Sequence, residues 1–84
     1  MKLVFTEIAW ADYRYWQATD PALLQRLNQL IKETARTPFT GLGKSEPLRG
    51  QLSGWWSRRL TREHRTVYRM VDDALHIAQY RYHS

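Results

Sequence analysis

Three residues that could together move protons around a phosphate stand well apart in this 84-residue chain. Glu46 lies in a glycine-rich stretch, Arg65 in an arginine-rich run, and His83 beside Arg81 and Tyr82 at the end. Cleaving RNA without a metal needs a base for the ribose 2′-hydroxyl proton, an acid for the leaving 5′-oxygen, and cations for the charge that grows on the phosphate. Glu46 suits the base, His83 the acid and Arg65 the cation, with Arg49 and Arg59 as further positive groups. A plainer reading stands beside this one. Loop glutamates are usually solvated, arginine-rich strands are usually exposed faces, and a terminal histidine is often disordered. Composition and spacing therefore leave two classes open: an RNA-cleaving enzyme, and a catalytically silent basic protein that only binds nucleic acid.

The charge favours a polyanionic partner in either case. The formal net charge is +5, and from Lys44 onward eight Lys/Arg face four Asp/Glu, against five and four before it. Such a balance attracts phosphate backbones but selects no single function. Cysteine is absent, so neither a disulfide framework nor a thiolate metal site can form. Asp72-Asp73 resembles a metal pair only by composition; adjacent turn residues point apart, and a turn is the better account. No phosphate-binding glycine loop and no nucleophile elbow occurs, and no metal or cofactor is expected. His64 could bind RNA or pair with a neighbour, while His76 reads as a surface strand residue. Trp55-Trp56 could stack bases, yet successive strand residues face opposite sides, so at least one belongs to the core. No apolar run approaches the roughly 20 residues of a membrane span, and Met1–Phe5 is too short for a signal peptide, which makes the cytoplasm the expected home.

One domain over residues 1–84 must position these groups. Lys2 to Phe5 is rich in strand formers, and Thr6 offers an N-cap for a helix over Glu7 to Thr19, where Ala9, Tyr13 and Trp16 share a face. Asp20-Pro21 opens a second helix, leucine-rich and nearly neutral, which runs to about Ala35 before Thr37-Pro38-Phe39 stops it. A long loop, Thr40 to Gly54, carries Lys44, Glu46 and Arg49; loops of that length in compact domains usually have a function. Strands then follow at 55–60, 64–71 and 75–82, with polar joints suited to an antiparallel meander. In the middle one Arg65, Val67, Arg69 and Val71 alternate with Thr66, Tyr68 and Met70, which leaves the register open. The fold class is α+β. A DNA repressor would want basic residues on the second helix of a helix-turn-helix, which this chain lacks.

Taken in order, Trp10-x-x-Tyr13-x-Tyr15-Trp16-Gln17, Thr37-Pro38-Phe39-x-Gly41-x-Gly43-Lys44-x-Glu46-Pro47-Leu48, Leu52-Ser53-Gly54-x-Trp56-Ser57-Arg58-Arg59, Glu63-His64-Arg65-x-Val67-Tyr68 and Arg81-Tyr82-His83 form a set of spaced motifs. This set resembles the YoeB toxins of bacterial toxin–antitoxin systems, within the RelE-like ribonucleases, over the whole chain. The resemblance implies an N-terminal strand and two-helix hairpin packed on an antiparallel meander sheet that bears the catalytic surface. It implies cleavage of messenger RNA at the A site of the 70S ribosome, with Glu46 as base, His83 as acid and Arg65 stabilising the transition state. Lys44, Arg49, Arg58, Arg59, Arg81 and Tyr82 would hold the RNA. An adjacently encoded, YefM-like antitoxin would mask the site, and the complex would bind promoter DNA. A second copy of the chain is a further candidate partner. The chain departs from the pattern at Ser84, where such toxins commonly carry an aromatic residue.

Overall fold

A single threonine hydroxyl ends the first strand and begins the first helix. In the computed structural model, which describes residues 2–39 and 45–81, strand β1 (Lys2–Phe5) runs into helix α1 (Glu7–Thr19) through Thr6. Thr6 Oγ1 accepts from the amide of Ala9 at 3.0 Å and donates to the carbonyl of Ala78 at 2.8 Å, so the N-cap also ties the helix to the far end of the chain. Asp20 then serves two helices at once. Its amide donates to the Trp16 carbonyl and closes α1, while its carboxylate accepts from Leu23 N at 3.1 Å and opens α2 (Pro21–Arg36). Pro21 at the first helical position fixes the direction of departure.

After α2 the chain forms β2 (Glu46–Pro47), a short 3-10 turn (Gly50–Leu52), β3 (Trp56–Arg59), β4 (Arg65–Val71) and β5 (Ala74–Gln79). Glycine is required where the 3-10 turn begins and again just beyond it, since Gly50 and Gly54 have φ of 68° and 95°. Asp72-Asp73 is the tight turn expected between β4 and β5, with Asp72 at φ 55°. The central part of the sheet is the expected antiparallel meander, β3–β4–β5. Two strands extend it. β2 pairs antiparallel with β3, inside the stretch read as loop, and β1 pairs parallel with β5, giving the mixed order β1-β5-β4-β3-β2.

One residue sets which side chains face which way. Val67 pairs with Gln79 but Tyr68 with Ile77, so Ala78 is an extra residue, a β-bulge in β5. The bulge keeps Leu75, Ile77 and Tyr80 all on the helix side, where they join Ala9, Trp16, Leu27, Leu30, Leu60 and Tyr68 in the core. Aromatic rings supply much of that core: Phe5 meets Tyr80 edge-on at 5.8 Å and lies 5.9 Å from Tyr13. Both helices contribute to this one face. The opposite face, carrying Ser57, Arg65, Val67 and Gln79, is left to a hollow. Among the described residues no helix is long and apolar enough to cross a membrane.

Candidate active site

Strand register brings Glu46 and Arg65 together. Glu46 on β2 lies opposite Ser57 on β3, and Ser57 lies opposite Val67 on β4. Arg65, two residues before Val67, projects from the same face. Its Nε donates to Ser57 Oγ at 3.0 Å, and its Nη2 stands 3.8 Å from Glu46 Oε1. The arginine side chain is 18% exposed and the carboxylate 61%, so the cation is enclosed while the acid faces solvent. Nη2 is buried and makes no hydrogen bond among the described residues. A buried, uncommitted guanidinium N–H beside a hollow is a ready donor to a phosphate oxygen.

The hollow has a volume of about 200 Å³ and is lined by Glu46, Leu48, Leu52, Ser57, Arg65, Val67 and Gln79. Its floor is part apolar and its rim carries one carboxylate, one guanidinium and one amide. Such a lining offers charged groups at one side and apolar surface at the other. Arg59 adds charge at the rim, since it ends β3 directly opposite Arg65 and is exposed. Like charges placed opposite each other destabilise a sheet, so this pair does not favour folding. Arg49 is exposed just before the 3-10 turn.

Arg58 lies elsewhere. The resemblance assigned it to RNA, but its side chain is on the helix side and it is 0% exposed. Nε and Nη2 donate to Ser45 Oγ at 3.2 and 2.7 Å, and Nη2 also donates to the Thr37 carbonyl. Tyr68 Oη donates to the next carbonyl, that of Pro38. Both side chains therefore pin the segment on either side of residues 40–44. Arg58 braces Ser45, the residue before Glu46, and cannot meet RNA from that position. Arg81 is half-buried, its guanidinium 3.8 Å over the Tyr15 ring and 5.9 Å from that of Trp16, so α1 engages it. Lys44, Tyr82 and His83, with Ser84, lie outside the described residues.

The other candidates sort by face. His64 packs edge-on against Trp16 at 4.8 Å, a contact with α1. His76 lies beside Arg69 and Val4 on the face away from the core. Trp56 meets Phe39 and the core, whereas Trp55 stacks under the Arg69 guanidinium at 4.7 Å. Ser57, Gln79 and Asp12 were not singled out in the sequence. Ser57 is 2% exposed and orients Arg65; Asp12 is 8% exposed and accepts from Tyr80 N at 2.9 Å. Asp12 did leave a signal: an acid three residues from Ala9 and four from Trp16 sits on the apolar face of α1, where a carboxylate must have a partner.

Residues 5–84 match the family model described as YoeB-like toxin of bacterial type II toxin–antitoxin system. The YoeB toxin of Escherichia coli K12 is 58% identical over 83 residues, 99% of each chain. Among solved structures, a YoeB/ParE toxin from Agrobacterium tumefaciens superposes with a TM-score of 0.95 at 50% identity, covering all of both chains. The YoeB of a heterotetrameric YoeB–YefM toxin–antitoxin complex from Staphylococcus aureus superposes with a TM-score of 0.91 at 36% identity, over 100% of this chain and 98% of that one. Fold and sequence agree, and the chain belongs to the YoeB-like toxins of bacterial type II toxin–antitoxin systems.

Proposed function

We propose that the chain is an endoribonuclease toxin that cuts messenger RNA at the ribosomal A site, with acid, base and cation all supplied by side chains. Glu46 takes the proton of the ribose 2′-hydroxyl, and the 2′-oxygen attacks the adjacent phosphorus. Arg65 Nη2 meets the charge that develops on the non-bridging oxygens, and His83 protonates the departing 5′-oxygen, leaving a 2′,3′-cyclic phosphate. The observation that carries this reading is the enclosed Arg65, oriented by Ser57 and 3.8 Å from an exposed carboxylate at the edge of a hollow. A protein that only binds nucleic acid has need of the arginines but none of Glu46.

Arg49 and Arg59 hold the backbone, and Lys44 and Tyr82 are further residues for that role. The partner is a YefM-like antitoxin, whose acidic segment folds over the basic face, as charge complementarity favours. The resulting complex binds promoter DNA, and the toxin works in the cytoplasm, where ribosomes are. The deciding experiment is cleavage of a ribosome-bound message carrying a single 2′-deoxy substitution at the scissile nucleotide. Cleavage should stop there and a cyclic phosphate should mark the unmodified product. Cleavage that persists on the deoxy substrate overturns the mechanism, and no cleavage of either message favours the silent binding protein.

A further inference from the structure

Strand β5 ends at Gln79, so the N–H and C=O of Tyr80 have no place in the sheet, and α1 supplies partners for both. Asp12 Oδ2 accepts from Tyr80 N at 2.9 Å, and Trp16 Nε1 donates to Tyr80 O at 3.2 Å. Asp12 and Trp16 are four residues apart and so stand one above the other on one helix face. Tyr15 completes the set, its ring under the Arg81 guanidinium at 3.8 Å. The same stretch of chain touches the hollow from its other side, since Gln79 lines it and Gln79 Nε2 donates to the Arg81 carbonyl at 3.2 Å.

We infer that Asp12, Trp16 and Tyr15 form a clamp that fixes where and in which direction the chain leaves the sheet, and are positioning residues for the acid His83. The inference rests on the reading of His83 as the acid. His83 lies three residues beyond Tyr80, and a chain reaches at most about 3.3 to 3.6 Å per residue. Loosening the Tyr80 peptide therefore releases an anchor only three residues before the acid in sequence. Proton transfer requires heavy atoms about 2.6 to 3.2 Å apart, and misplacement by about 1 Å can cost about 10²-fold. A nearly buried carboxylate spent on one backbone amide makes sense as such a fixture, because a buried polar group is tolerated only when hydrogen-bonded.

The test is a double-mutant cycle read by cleavage of ribosome-bound message. Asp12→Ala should lower kcat about 10²-fold with KM little changed, and Asp12→Asn, whose amide oxygen still accepts from Tyr80 N, should restore most of the rate. In a His83→Ala background, Asp12→Ala should cost nothing more, because the group it positions is already gone. Trp16→Phe keeps most of the ring packing and deletes only the donor to Tyr80 O; it carries the same cycle if Asp12→Ala does not fold. An unimpaired Asp12→Ala, or an equal loss in both backgrounds while His83→Ala is itself slow, overturns the clamp alone. A His83→Ala variant that cleaves at the wild-type rate overturns the acid assignment and the clamp with it.

Discussion

Arg58 and Arg59 are adjacent in the chain and opposite in the fold: Arg58 is 0% exposed on the helix side of β3, and Arg59 is exposed on the face that carries Arg65. The pair separates a structural arginine from an exposed one. Arg58→Ala should lower stability by about 2 to 4 kcal/mol, because it strands the Thr37 carbonyl and leaves a void. Cleavage should fall as well, since Ser45 loses its brace next to Glu46. Arg59→Ala should leave stability within about 0.5 kcal/mol, with any change upward as the repulsion from Arg65 is relieved, while RNA binding weakens. Urea unfolding followed by circular dichroism separates the two, and equal midpoints would contradict the assignment.

Glu46→Gln should cut cleavage about 10²- to 10⁴-fold while ribosome binding and unfolding stay close to wild type. The carboxylate is 61% exposed, and its ion-pair partner among the described residues is an arginine 3.8 Å away, too long for a hydrogen bond. Single-turnover cleavage alongside a binding assay checks this. Loss of binding equal to the loss of rate would move Glu46 from chemistry to recognition.

Ser57 offers a finer probe. Its hydroxyl holds Arg65 Nε, so Ser57→Ala should reduce kcat about 10-fold, and Ser57→Thr should recover much of it, since one oriented charged hydrogen bond contributes about 1.5 kcal/mol or more. A Ser57→Ala variant at the wild-type rate would show that packing alone orients the guanidinium.

Binding to single-stranded RNA should weaken with salt at a slope of about 0.7 per phosphate neutralised. Arg59→Ala should lower that slope by about one contact's share, whereas Arg58→Phe, placed where no phosphate comes, should not change it. Filter binding across a range of potassium chloride concentrations measures both.

Tyr80 gives a pH signature unrelated to catalysis. Burial, with Tyr13 nearby, pushes its hydroxyl well above the ordinary 10.0, and among the described residues the hydroxyl has no hydrogen-bond partner. The folded state therefore keeps the proton that the unfolded chain releases. This contribution is fully present below pH 10 and is lost as pH rises further. Tyr80→Phe should be as stable as wild type or more so at pH 7, and should lose stability less steeply above pH 10. Equal alkaline slopes in the two proteins would count against it.

The helix boundaries were legible because caps are local chemistry: Thr6, Asp20-Pro21 and Thr37-Pro38 each act on their own neighbours. The three central strands were legible for the same reason, being joined by short turns. The parallel partner of β1 was not, because nothing in Lys2–Phe5 refers to residues more than 70 positions away. The bulge at Ala78 was hidden too, since alanine fits a regular strand equally well, and without it the faces beyond Ile77 cannot be assigned. Glu46 and Arg65 were singled out for their chemistry, and the register brings them together. Arg58 was misplaced because a buried arginine shows itself only through the carbonyls it satisfies.

The parallel pairing of β1 with β5 joins the two ends of the chain. Until residues 74–80 have been synthesised, Leu3 and Phe5 lack their sheet partners, and Leu75, Ile77 and Tyr80 are missing from the core. Such distant contacts cannot form piecemeal as the chain emerges. A truncated product therefore has no assembled hollow, and the surface that carries Glu46 and Arg65 is completed only once β5 is free to pair.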